Sequence, residues 1–228
     1  MGHGPNDAWL NFDSHLAVAM FDVDGTATGG NPAWVTIDTG HLNTATIAQE
    51  MLHGYGLPHS LDENEQMYGD PWDIMSGLRT KTFTGFNNGP AGPDMNATTK
   101  DRQGFIPADR IKTVRRGTTT HVRLAALNRP EANGHLMVRI PKGSSDGGSY
   151  TVEFRQKSFW DRGIDDDTVL VHGDALGFSL LLNGPNGPGL EVGDTLTYKG
   201  ISVKVREIHG QDHGTDPWAS TAFVDITC

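Results

Sequence analysis

Beyond about residue 112, apolar and polar positions alternate along the chain, the period of a strand that buries one face. The alternation predicts strands over residues 121–127, 135–140, 150–156, 168–172, 177–182, 195–198, 201–207 and 219–227. Turn-forming runs part them, among them Ser145-Asp146-Gly147-Gly148 and Asn183-Gly184-Pro185-Asn186-Gly187-Pro188. Short strands at such spacing predict an antiparallel β-sandwich over 112–228, or a barrel.

Upstream the pattern changes. Apolar runs predict strands near 15–23 and 33–38, and Asn43-Thr44-Ala45-Thr46 offers capping side chains for a helix over about 44–55. Residues 60–104 are rich in Gly, Asn, Pro and Asp and predict a long irregular excursion, a kind of segment that usually carries function. The expected fold class is α+β, with one unit over 1–111 and a second over 112–228.

Composition narrows the function classes. A formal charge of −10 disfavours nucleic acid or an anionic membrane as the main partner. No apolar run is long enough to span a bilayer. Cys228 is the single cysteine, so an intrachain disulfide is excluded. The opening residues Met1 to Asp7 have neither a basic start nor an apolar core, so no secretory signal is read there.

The candidate chemistry lies in residues 49–59, Gln-Glu-Met-Leu-His-Gly-Tyr-Gly-Leu-Pro-His. Gln49 and His53 are four apart and share one helix face, so both can point at a single ion. Glu50 is rotated away from them, which suits a base acting beside the ion rather than on it. Gly56 can end the helix in a left-handed conformation, and Pro58 turns the chain so that His59 returns to the same place. Downstream, residues 68–76 read Tyr-Gly-Asp-Pro-Trp-Asp-Ile-Met-Ser, in which Asp70-Pro71 and Asp73 supply the chemistry of a tight turn.

With one letter changed, 49–59 is the zinc-protease signature H-E-x-x-H-x-x-G-x-x-H, and Met75 takes the place of its methionine turn. The glutamine variant, Q-E-x-x-H-x-x-G-x-x-H, resembles the gametolysin-like metzincins, extracellular proteases first known from green algae. The resemblance covers about residues 33–110 and includes Asp-Arg-Gln-Gly-Phe-Ile-Pro at 101–107. It implies a metzincin-like catalytic unit, truncated before its early strands and first helix, followed by a β domain as in bacterial members. It further implies metal ligation by Gln49, His53 and His59, with Glu50 as general base in a secreted endopeptidase acting on protein or glycoprotein. Zinc is the expected metal. The amide of Gln49 is a poorer zinc ligand than imidazole, and copper stays open because some members with this glutamine prefer it.

Two other readings carry different predictions. One is a non-catalytic metal- or glycan-binding module on a degenerate protease scaffold, which would tolerate loss of Glu50. The other rests on residues 16–26, Leu-Ala-Val-Ala-Met-Phe-Asp-Val-Asp-Gly-Thr, which match the start of haloacid-dehalogenase-type phosphatases, with Asp22 as nucleophile and Asp24 as acid/base. That family needs alternating strands and helices, which the β-rich remainder does not predict. In the second half, Trp160 and Trp218 could stack on sugars and Asp165 to Asp167 could bind calcium. Core packing and solvated turns are the simpler expectations. His209 and His213, beside Asp212 and Asp216, read as a hairpin loop.

Overall fold

A computed structural model describes residues 15–20, 33–38, 43–84, 89–143, 147–175, 177–210 and 219–228. The fold is mixed α+β, mostly sheet with few helices. Strands β1 (His15–Met20) and β2 (Ala33–Asp38) form an antiparallel pair. Helix α1 (Thr44–Gly54) follows, then β3 (Leu61–Asp62), a 3₁₀ segment (Ile74–Arg79) and the short helix α2 (Ala97–Arg102). The remainder is nearly all strand. It runs β4 (Ile111–Thr113), β5 (Thr119–Ala125), β6 (Met137–Pro141), β7 (Ser149–Arg155), β8 (Thr168–Ala175) and β9 (Phe178–Leu181). It closes with β10 (Thr195–Tyr198), β11 (Ile201–His209) and β12 (Thr221–Thr227).

Two sheets organise these strands. One has the order β10-β11-β12-β5 and the other β3-β9-β8-β7-β6-β4. All pairings are antiparallel except β3 with β9 and β4 with β6, at the two edges of the larger sheet. Alternate residues of both sheets meet in one apolar cluster. Val122, Leu124, Val203, Val205, Val224 and Ile226 come from the smaller sheet, and Val138, Ile140, Val152, Phe154, Val169 and Val171 from the larger. The alternation read from the sequence is thus the inward face of each strand. Each of the eight strands expected after residue 112 is present. Strands β3 and β4 were not expected, since two or three residues carry no periodicity to read.

Helix α1 forms where the capping residues place it. The Asn43 carboxamide accepts from Thr46 N at 3.0 Å, satisfying one of the orphan donors of the first turn. Its inward stripe is the buried Ala45 and Gln49 with the partly buried Ala48 and Leu52, spaced at helical period, and it rests on Leu57, Ile74 and Met75. Gly56, at φ 79, lets the chain leave after the C-cap Tyr55.

The excursion over 60–104 is less irregular than its composition suggests. It contains α2, capped by the Asn96 side chain accepting from Thr99 N at 2.9 Å. Six mostly polar residues give no apolar period, so the only signal was the cap itself. Asn96, Ala97 and Thr98 attach this segment to the larger sheet. Asn96 Nδ2 donates to Ser179 Oγ at 2.9 Å, Ala97 N donates to Glu153 Oε2, and Thr98 and Thr151 hydroxyls lie 2.7 Å apart.

Candidate metal centre

Helix α1 delivers Gln49 and His53, and the reversal at Gly56 to Pro58 delivers His59 just before β3 begins. Gln49 is 5% exposed and His59 is 6% exposed. The His53 and His59 rings meet edge to face with centroids 4.5 Å apart, and the fully buried Met75 lies beneath in the cluster that packs α1. The structure therefore brings Gln49, His53, His59 and Met75 together from positions spread over 27 residues of sequence (75 − 49 + 1).

Main-chain carbonyls fix the tautomers. His53 Nδ1 lies 2.7 Å from Leu57 O, and His59 Nδ1 lies 3.2 Å from Met75 O. A carbonyl oxygen can only accept, so each ring carries its proton on Nδ1 and leaves a lone pair on Nε2. Orientation of a ring by such a contact is what metal-ligating histidines use. Among the described residues, His53 Nε2 is buried and has no hydrogen-bond partner. His59 Nε2 lies 3.0 Å from Tyr68 Oη, whose hydroxyl donates to it. Tyr68 holds a φ of 61°, a strained choice for a bulky residue.

Burial pushes the pKa of both imidazoles below the ordinary histidine value, against the carbonyl contacts and the Glu50 carboxylate, which pull upward. Both rings are neutral at pH 7, the form that donates a lone pair to a metal.

Gln49 joins the group by a different edge. Its amide nitrogen lies 3.3 Å from His59 Nδ1, beside the Met75 carbonyl. With a proton on Nδ1, the amide orientation that matches is the one presenting Oε1 to the ring. Gly77, at φ 59, makes room for this amide: a Cβ there would stand 3.0 Å from the end of the Gln49 carboxamide. To reach an ion at the Nε2 atoms, Gln49 would have to release this contact.

These observations fit a cation at the two imidazoles: one orphaned ring nitrogen, two neutral rings and two fixed tautomers. Among the described residues, no three His, Cys, Asp or Glu side chains converge on one point, so a third protein ligand would be the amide of Gln49.

A set of buried charges lies behind the turn that sequence reasoning missed. Asp70, Asp73, Glu153, Arg155, Asp161 and His172 are each 0% exposed. His172 Nε2 of β8 lies 2.9 Å from Asp70 Oδ2, and Arg155 donates to Asp161 and Glu153. Burial acts to lower the His172 pKa, but the carboxylates of Asp70 and Glu153 outweigh it and raise the value. Burial and the Asp70 charge push Asp73 up to about 7. The residues stand up to 102 positions apart in sequence, and for Glu153, Arg155 and His172 the available signal was a polar letter within an apolar strand.

Other expectations fall out variously. Trp160 is 49% exposed rather than core, with Phe83 against it at 6.5 Å. Asp165 pairs with Lys81, and Asp167 accepts from Lys157 N at 2.7 Å. His209 lies 3.1 Å from Glu207. Asp22, Asp24, Asp212, His213, Asp216 and Trp218 lie outside the described residues. No described helix is long and apolar enough to cross a membrane.

Comparison of the chain with protein-family models, with curated proteins and with solved structures finds no match.

Proposed function

We propose that this protein is a metal-dependent endopeptidase of gametolysin-like metzincin type, acting on peptide bonds of extracellular protein or glycoprotein. The observation that carries the reading is the His53–His59 pair. Both rings are neutral and held at Nδ1 by carbonyls, and the buried His53 Nε2 lacks a partner among the described residues. An orphaned buried ring nitrogen costs free energy on the order of 1–3 kcal/mol unless something binds it. A divalent cation, zinc or copper, would supply polarisation of a scissile carbonyl and an acidified water.

In this reading His53 and His59 would hold the ion through Nε2, and Gln49 would complete the set through Oε1 with its His59 contact released. Glu50, one residue along the helix, takes the proton from the attacking water on its carboxylate and returns it to the leaving amine. The Tyr68 hydroxyl, which donates to His59 Nε2, would be available to donate to a developing oxyanion were that nitrogen to hold a cation instead. Met75 and Leu57 close the site from below and exclude water on that side.

The test is hydrolysis of a quenched-fluorescent peptide library by metal-loaded protein, wild type against Glu50→Gln. The reading expects hydrolysis that falls by at least a hundredfold in the variant while bound metal stays constant. Metal binding without hydrolysis in either protein would replace the peptidase by a metal-binding module.

A further inference from the structure

We propose that Asp73 is the positioning residue of this centre. Its carboxylate, tied to Ser60 and Met75, sets the orientation of His59, and Asp70 with His172 anchors that arrangement to the larger sheet. The inference rests on the metal-centre reading for its consequence, though its geometry stands in the metal-free protein.

The path is short. His59 takes its orientation from the Met75 carbonyl, and Ser60 N donates to the same oxygen at 3.4 Å. Both residues are then gripped by one side chain. Ser60 Oγ donates to Asp73 Oδ2, and Asp73 Oδ1 accepts from Met75 N at 3.2 Å. Ser60 is 1% exposed, and Asp73 and Met75 are wholly buried, so water cannot substitute for a lost partner. Asp73 thus spans the residue that follows His59 and the residue whose carbonyl orients it.

A second tier keeps the turn in place. Asp70 Oδ1 accepts from Trp72 N at 3.0 Å, and Oδ2 accepts from His172 Nε2 at 2.9 Å and Asn96 Nδ2 at 3.2 Å. Ser76 Oγ receives Asp70 N at 3.1 Å, closing the turn on itself. Residues 70–76 are therefore fixed from β8 on one side and α2 on the other. Side chains that orient a ligand in this way typically change metal affinity by 10–100-fold when removed.

The experiment compares wild type with Asp73→Ala, Asp73→Asn and Ser60→Ala, and uses Val203→Ala in the distant core as a control for destabilisation. Zinc affinity is read by competition with a chromophoric chelator, and the His59 ring nitrogens by ¹⁵N NMR of metal-free protein. We expect Asp73→Ala to weaken zinc by about tenfold or more and to shift the His59 ring signals. Asp73→Asn should restore most of the loss, and Val203→Ala should leave affinity unchanged at a comparable melting temperature. Should Asp73→Ala not fold, Ser60→Ala decides by the same two readings, with a smaller shift of the same kind. Wild-type zinc affinity and unmoved His59 signals in the folded variant would overturn the proposal. Wild type that binds no zinc while Asp73→Ala still moves the His59 signals would uphold the positioning and fail the metal reading.

Discussion

Arg155→Met tests how far the buried charges hold the site's foundation. The guanidinium has no exposed surface and is bidentate to Asp161, with Nε at 2.9 Å from Oδ2 and a second bond to Oδ1. It also donates to Glu153 Oε1 at 3.2 Å and to the Asp94 carbonyl at 3.3 Å. Asp94 in turn accepts from Ile74 N at 3.4 Å, beside Met75. Methionine fills similar volume, so packing is largely kept and the loss is electrostatic. Two carboxylates are left buried without their cation, which costs about 3–5 kcal/mol for a broken buried pair. For a chain of this size that lowers Tm by about 6–20 °C. Calorimetry and urea unfolding at pH 7 measure it, and Asp161→Asn in the same background should recover more than about 1 kcal/mol through coupling. A loss below about 1 kcal/mol would refute the reasoning, because the guanidinium would then contribute no more than a surface pair.

Other predictions address the site directly. Gly77→Ala places a Cβ 3.0 Å from the Gln49 carboxamide at a φ of 59°, and should destabilise by about 1–2 kcal/mol in chemical unfolding; a neutral effect would remove Gly77 as the seat of Gln49. Tyr68→Phe removes the hydroxyl that occupies His59 Nε2, so zinc should bind about fivefold tighter by chelator competition, from a net hydrogen bond of about 1 kcal/mol, while turnover falls. Weaker binding would make Tyr68 a ligand instead of a competitor. In an NMR titration His53 and His59 should have midpoints below 6.5 and His172 above it. The raised His172 value gives the His172–Asp70 pair a stabilisation that is full below pH 6.5 and fades as pH rises through the folded value. The stability gap between wild type and His172→Gln should therefore narrow with rising pH, and a widening gap would reverse the assignment.

Much of the fold was legible because its signals are local. Alternation marked the strands after residue 112, and the capping run from Asn43 and the glycine at 56 marked α1 and its end. Helical spacing and one turn bring Gln49, His53 and His59 together, whereas the place of Met75 beside them was implied by the resemblance to a methionine turn. What the sequence could not show is long-range. Nothing near His172 or Glu153 says that they meet Asp70 and the start of α2, because sheet register decides that. The edge pairing of β3 with β9 is equally silent, being only two residues long. Nor does residue spacing reveal that Gln49 settles on the Nδ1 edge of His59, since that depends on which ring nitrogen the Met75 carbonyl captures.

The most direct test of the central claim is metal content of the purified protein by elemental analysis, with Gln49→His and His53→Ala alongside. The account expects about one zinc or copper per chain (the single centre its two oriented imidazoles can hold), tighter binding in Gln49→His and loss in His53→Ala. Folded wild-type protein that holds neither metal after incubation with both would contradict it.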